Sequence, residues 1–170
     1  MPLPVLATKP LTNSARVSSF LAAGEESPRQ IDTTCLVRDP AATDAVIEQA
    51  YRQIYFHAFK VDRDAVLESQ LRSGQISTRD FIRQLLLSEK FQRDFYRCNS
   101  NYRVVEQVVG RVFGRPVHGQ AEQIAWSIVI AEQGLPKFVD ALLNSDEYRD
   151  NFGDNLVPFQ RSRVLPGQAV

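Results

Sequence analysis

Histidine, cysteine, methionine and tryptophan are scarce in this 170-residue chain, with two His, two Cys, one Met and one Trp. His57 and His118 stand in no HExxH or HxxxH spacing, no GxSxG elbow or GxxxxGK loop occurs, and Cys35 and Cys98 form no CxxC pair. Acyl transfer, phosphoryl transfer and metal-assisted hydrolysis all lack their usual residues, so no catalytic site and no metal are expected. Two cysteines so far apart also indicate free thiols in a reducing compartment rather than a disulfide framework. The formal net charge is zero, which leaves no bulk electrostatic pull toward nucleic acid. No apolar run approaches the roughly 18 residues of a membrane-spanning helix. The opening Met1-Pro2-Leu3-Pro4 lacks the charged and then apolar regions of a secretory signal. A soluble, unsecreted chain is expected.

What the sequence has instead is a duplication. Phe81-Ile82-x-x-Leu85-Leu86-x-Ser88-Glu89-x-Phe91-x-x-x-Phe95 returns as Phe138-Val139-x-x-Leu142-Leu143-x-Ser145-Asp146-x-Tyr148-x-x-x-Phe152. Apolar, hydroxyl and acidic positions are all kept. Ile47-Glu48-Gln49-Ala50-Tyr51-x-x-Ile54-Tyr55 is echoed in the same order by Val105-Glu106-Gln107-Val108-Val109-x-x-Val112-Phe113. Two copies of one helical unit, at about 44–97 and 101–153, are expected to pack into a single all-α domain, because a unit this small cannot bury its apolar face alone.

Capping residues punctuate the units. Asp39-Pro40 suits a helix start, a second helix from about Asp62 ends at Gly74, and Ser77-x-x-Asp80 resembles a capping box. Ser88 caps the next helix. The second unit reads as Asn101 to Phe113, about Gln120 to Gln133 closed by Gly134, Pro136 to Leu143, and Ser145 to Phe152. That makes about eight helices over a domain of residues 39–154. Pro2, Pro4, Pro10 and Pro28 among Ser, Thr and Gly make residues 1–38 an extended arm, and 155–170, with Arg161 and Arg163, reads as a basic tail.

Charge is unevenly spread. Arg79 to Gly119 carries eight basic residues against four acidic ones, and Lys137 to Asp154 two against five. Such flanks suit docking to a protein surface as well as they suit a solvated helix face. Tyr55-Phe56-His57-Ala58-Phe59 is too aromatic for one helix face, since consecutive residues point in different directions, so some of these rings face a partner or a second layer.

Several phrases resemble the phycobilisome linker domain. They are Tyr51-Arg52-Gln53-Ile54-Tyr55-Phe56-His57-Ala58-Phe59, Leu67 to Ile76, Arg79-Asp80-Phe81-Ile82-Arg83, Phe95-Tyr96, Asn99-Ser100-Asn101-Tyr102-Arg103, Ala125 to Val129, Leu142 to Tyr148, Asn151-Phe152-Gly153 and Val157 to Arg161. Phe56-His57-Ala58-Phe59 and Leu3-Pro4-Val5-Leu6 are most similar to the rod-core linkers within that family. The resemblance implies a non-catalytic helical domain seated in the central hole of a phycocyanin hexamer, joining phycocyanin α and β subunits to the allophycocyanin core and to other linker polypeptides. It implies no cofactor of the chain's own, contact with phycocyanobilin carried by partner subunits, tuning of those bilins for directional energy transfer, and a place on the cytoplasmic (stromal) face of the thylakoid membrane. It also implies a chain continuing past the point corresponding to Gly167. The residues proposed to meet partner or bilin are Tyr51, Tyr55, Phe56, Phe59, Arg72, Arg79, Tyr96, Tyr102, Arg103 and Arg115. A rod linker, a core-membrane linker fragment and a helical regulatory module that binds acidic ligands through the arginine patch stand as alternatives.

Overall fold

Side-chain caps set where the helices begin. In the computed structural model, which describes residues 40–161, Asp64 accepts from the Val66 and Leu67 amides, Ser77 from Asp80, Ser88 from Phe91, Ser100 from Arg103 and Ser145 from Tyr148. Each cap satisfies amides that a helix start leaves unpaired. The helices are α1 Pro40–Tyr55, α2 Ala65–Arg72, α3 Thr78–Leu87, the single turn α4 Glu89–Phe91, α5 Asn101–Val112, α6 Gly119–Leu143 and α7 Asp146–Asn151. A 3-10 turn spans Lys60–Asp62 and a π turn Gln92–Tyr96. No strand occurs among the described residues, so the fold is all-α. The expected break at Gly134 is present, where α6 passes through φ 79°, ψ 174°.

Some expectations need adjusting, and others lie outside the described residues. The second helix starts at Ala65, with Asp62 in the 3-10 turn before it. The residues after α4 form a π turn, which no spacing rule in the sequence marks. The tail expected from 155 is, as far as Arg161, packed onto the domain: Val157 is buried and Phe159 meets the Phe152 ring edge-on at 5.4 Å. The arm at 1–38, the Asp39 cap and the tail beyond Arg161 lie outside the described residues.

The core is built from the two repeated phrases. Phe81, Ile82, Leu85 and Leu86 on α3 and Phe138, Val139, Leu142 and Leu143 on α6 are all buried, and α3 packs against α6. Val104, Val105, Val108, Val109 and Val112 line the inner face of α5, which also packs against α6. Equivalent positions of the duplication touch each other. The Arg83 guanidinium donates to both Asp140 oxygens at 2.6 and 3.2 Å, across 57 residues, and Gln53 Nε2 donates to the Arg111 carbonyl at 2.7 Å, across 58. Self-meeting of equivalent positions is what a local two-fold relation produces, as in an isologous dimer fused into one chain.

The far end is closed by a charge network. Arg115, nearly enclosed, donates to Glu147 at 2.6 and 2.7 Å and to Glu122 at 2.9 and 3.1 Å, and Arg161 reaches Glu147 at 2.7 Å. The arginine bonds hold the Glu147 and Glu122 carboxyls below their ordinary range. In the unfolded chain these groups take up protons first as pH falls, so the stability they confer is complete above about pH 4.5, their ordinary value, and is lost as acid titrates the folded forms. Urea midpoints should therefore decline below that pH, and Glu147→Gln should flatten this acid limb. An unchanged slope would show that the network contributes nothing to it.

Candidate interaction surface

The connection leaving α1 holds the least protected aromatics. Phe56 is 62% and Phe59 75% exposed, with Val61 exposed on the same connection and Val66 on the first turn of α2. Phe56 closes α1, its amide donating to the Arg52 carbonyl at 3.0 Å, with φ at 63°. It is the only non-glycine residue with positive φ among the described residues. The equivalent position in the second unit is Gly114, at φ 66°. The fold thus asks for a left-handed residue twice and receives glycine once. Phenylalanine in that conformation costs about 1–2 kcal/mol through its Cβ, and its ring recovers little by burial. Backbone strain that stability does not explain points to function.

One consequence is directly measurable. Phe56→Gly is expected to be more stable than Phe56→Ala by about 1 kcal/mol, because both lose the ring but only glycine escapes the left-handed penalty. Urea unfolding of the pair tests this. Equal midpoints would mean that Phe56 is not held left-handed.

Beneath Phe56 lies Arg111, on the last turn of α5. Its guanidinium carbon is 4.8 Å from the Phe56 ring centre, 4.2 Å from Phe95 and 5.7 Å from Phe91. The π turn brings Phe95 to this place, stacked on Phe91 at 5.2 Å. A second apolar group, Tyr102, Ile124 and Ile128, is exposed on α5 and the first half of α6.

The ten residues proposed from the sequence divide sharply. Phe56 and Phe59 stand out in solvent together, and Tyr102 and Arg103 are exposed on the first turn of α5, where Arg103 pairs with Glu106 at 2.8 Å. Tyr96 is half-buried on the π turn and packs against the core. Arg72 is exposed but already paired with Asp44 and Glu68, at 3.0 and 3.1 Å, and Arg79 with Asp154 at 3.0 Å. Three residues are internal, so in this fold they are not free for a partner. Tyr51 is 1% exposed, wedged edge-on against Phe81, with its hydroxyl accepting from the Asp64 amide. Tyr55 donates to the Leu85 carbonyl at 2.8 Å and shares a hydrogen bond with Ser88. Burial pushes both phenols up to about 12. Arg115 is committed to Glu122 and Glu147. Sequence reasoning missed Val61, Val66, Ile124 and Ile128 as exposed apolar groups, and Arg111 as a buried one. Alignment of Phe56 with Gly114 was the available signal for strain.

No reaction centre is formed among the described residues. His57 and His118 are both exposed, and no cluster of metal-binding side chains occurs among the described residues. The open cleft of about 460 Å³ between α1 and α2 is lined by charges that largely neutralise one another, Arg63 with Glu48 and Arg72 with Asp44 and Glu68. No helix among the described residues is long and apolar enough to cross a membrane. What the surface offers is an exposed aromatic edge on a rigid helical scaffold, which is the equipment of a docking module.

The family model for phycobilisome linker polypeptides matches residues 38–161. The chain belongs to the phycobilisome linker polypeptide family. A phycobilisome rod-core linker polypeptide of Thermosynechococcus vestitus is 49% identical over 170 residues, covering 97% of this chain and 60% of that protein. A photosystem I-associated linker protein of Synechocystis sp. is 45% identical over 168 residues, covering 98% and 67%. A rod-core linker polypeptide of the red alga Pyropia yezoensis is 46% identical over 170 residues, covering 97% and 72%. The chain thus spans between 60% and 72% of the length of these three relatives. As a linker polypeptide it is a structural, non-catalytic protein.

Proposed function

We propose that this linker is a rod-core linker whose helical domain seats in the central cavity of a phycocyanin hexamer and ties the rod to the allophycocyanin core. The observation that carries the reading is Phe56, an exposed ring kept at a strained backbone position where the second unit uses glycine, with Phe59 beside it. Exposed rings at the edge of a rigid body are the usual anchors of a protein interface. Placed against a partner's phycocyanobilin, such rings and the neighbouring exposed arginines would alter the pigment's conformation and local field, as protein groups tune any cofactor. The chain would hold no cofactor itself. In this reading the contact set narrows to Phe56, Phe59, Tyr102 and Arg103, with Tyr96 at its margin. The complex would lie on the cytoplasmic (stromal) face of the thylakoid, held there by its partners.

The relatives named for rod-core and for photosystem I association match this chain over nearly the same residues. The property common to both names is linking, and the destination of the rod is the finer inference. Its test is to mix the purified chain with phycocyanin trimers and record sedimentation together with fluorescence emission. Co-sedimentation as hexamers or larger with shifted emission supports assembly and tuning. A folded chain that neither associates nor shifts the spectrum overturns the reading.

A further inference from the structure

We propose that Arg111 is a concealed receptor for an aspartate or glutamate side chain of the docking partner, and that Phe56 is the ring that swings aside to admit it. The inference rests on the docking reading above and names a contact within it. Arg111 is 4% exposed, and its Nε and Nη1 have no hydrogen-bond partner among the described residues. The other buried arginine among the described residues is matched by acids: Arg115 has Glu122 and Glu147, and half-buried Arg63, whose Nε also lacks a partner, still has Glu48 for its charge. Among the described residues Arg111 has no salt-bridge partner and three aromatic rings. Rings over a guanidinium give it attraction but cannot accept its in-plane N–H bonds. A buried donor left unmade is costly, and a buried charge without a counter-ion more so. Burial lowers the affinity of Arg111 for its proton, with the like charge of Arg103 adding to the effect, yet at about 10 it remains a cation at neutral pH.

The route in is set by the rings. Phe91 is fully buried and Phe95 half-buried, whereas Phe56 is largely exposed and held in a backbone conformation it would leave with a gain. Rotation of Phe56 would uncover donors of a planar cation, and the group that best matches a guanidinium is a carboxylate. A neutral carbonyl would satisfy a donor but leave the charge.

The test uses the whole chain with Arg111→Met and Phe56→Gly, reading melting temperature and affinity for phycocyanin hexamers. Arg111→Met is expected to melt no lower than the parent and to bind at least about tenfold more weakly. Parental binding by a folded Arg111→Met variant overturns the proposal. Sodium acetate against sodium chloride at equal concentration supplies an arm that needs neither the variant's folding nor the partner. Acetate should raise the parent's melting temperature more than chloride does, and that of Phe56→Gly further still. The same response to both salts in parent and Phe56→Gly means that Arg111 takes no carboxylate, and overturns the proposal. An acetate-specific rise in a parent that ignores phycocyanin would support the receptor while removing the docking reading.

Discussion

The double substitution Phe56→Ala, Phe59→Ala is expected to weaken docking to phycocyanin hexamers by roughly thirtyfold, about 2 kcal/mol, the scale of removing central aromatic anchors. The reason lies in what each side chain has already spent. Both rings are mostly exposed in the free chain, so their burial free energy remains available to an interface. The arginines do not share that position. Arg72 and Arg79 are engaged with Asp44, Glu68 and Asp154, and Arg103 with Glu106. Exposed pairs of this kind contribute about 0–1 kcal/mol, and exchanging one acidic partner for another changes little. Replacing any one of these three arginines by alanine should therefore cost less than the aromatic pair, measured by sedimentation at fixed salt. Equal losses would count against the aromatic anchor.

Gly114→Ala is expected to be the most damaging small substitution in the domain, lowering stability by roughly 3 kcal/mol or more. A Cβ at Gly114 would lie 1.9 Å from the Phe159 carbonyl oxygen, and φ there is 66°. Relief requires moving the segment through Val157, Phe159 and Arg161, which is fixed to the end of α5 by bonds from Arg161 to the Gly114 and Phe113 carbonyls at 2.8 and 2.9 Å. Gly119 is the control. It also has positive φ, at 80°, but a Cβ there would meet nothing within 4 Å, so Gly119→Ala should cost about 1 kcal/mol from backbone alone. Urea midpoints of the two variants measure the difference, and amide exchange at Arg161 reports whether the segment has detached. Equal midpoints would show that the close approach of Phe159 is not maintained in solution.

Elements and caps were legible because they depend on near neighbours. Ser77, Ser88 and Ser145 begin helices in the structure as their spacing from acidic and apolar residues indicated. The paired phrases around Phe81 and Phe138 form the core because an apolar stripe at helical spacing has no other stable destination. The π turn was not legible, since one added residue per turn changes no local propensity that composition records.

The interaction surface was half legible. A crowd of aromatics at Tyr51 to Phe59 announced that some ring must face outward, but periodicity could not say which. Tyr51 and Tyr55, proposed as contacts for partner or bilin, are interior, because α3 passes beneath them and offers Phe81, the Leu85 carbonyl and Ser88. Arg115, proposed as a contact for partner or bilin, is enclosed, because Glu122 at the start of α6 and Glu147, 32 residues on in α7, converge on it.

By itself, then, the sequence determined the helices, their caps, the duplication and the apolar faces, all of which follow from residues within a few turns of one another. Tertiary structure alone decided that Phe56 emerges left-handed into solvent while Tyr55 turns inward, and that Arg111 is shut among three rings with no acid from the described residues beside it. Those outcomes depend on tertiary contacts, Tyr55 with Leu85 and Ser88 and Arg111 with Phe56, Phe91 and Phe95, that join residues some 16 to 55 positions apart and that no local rule carries.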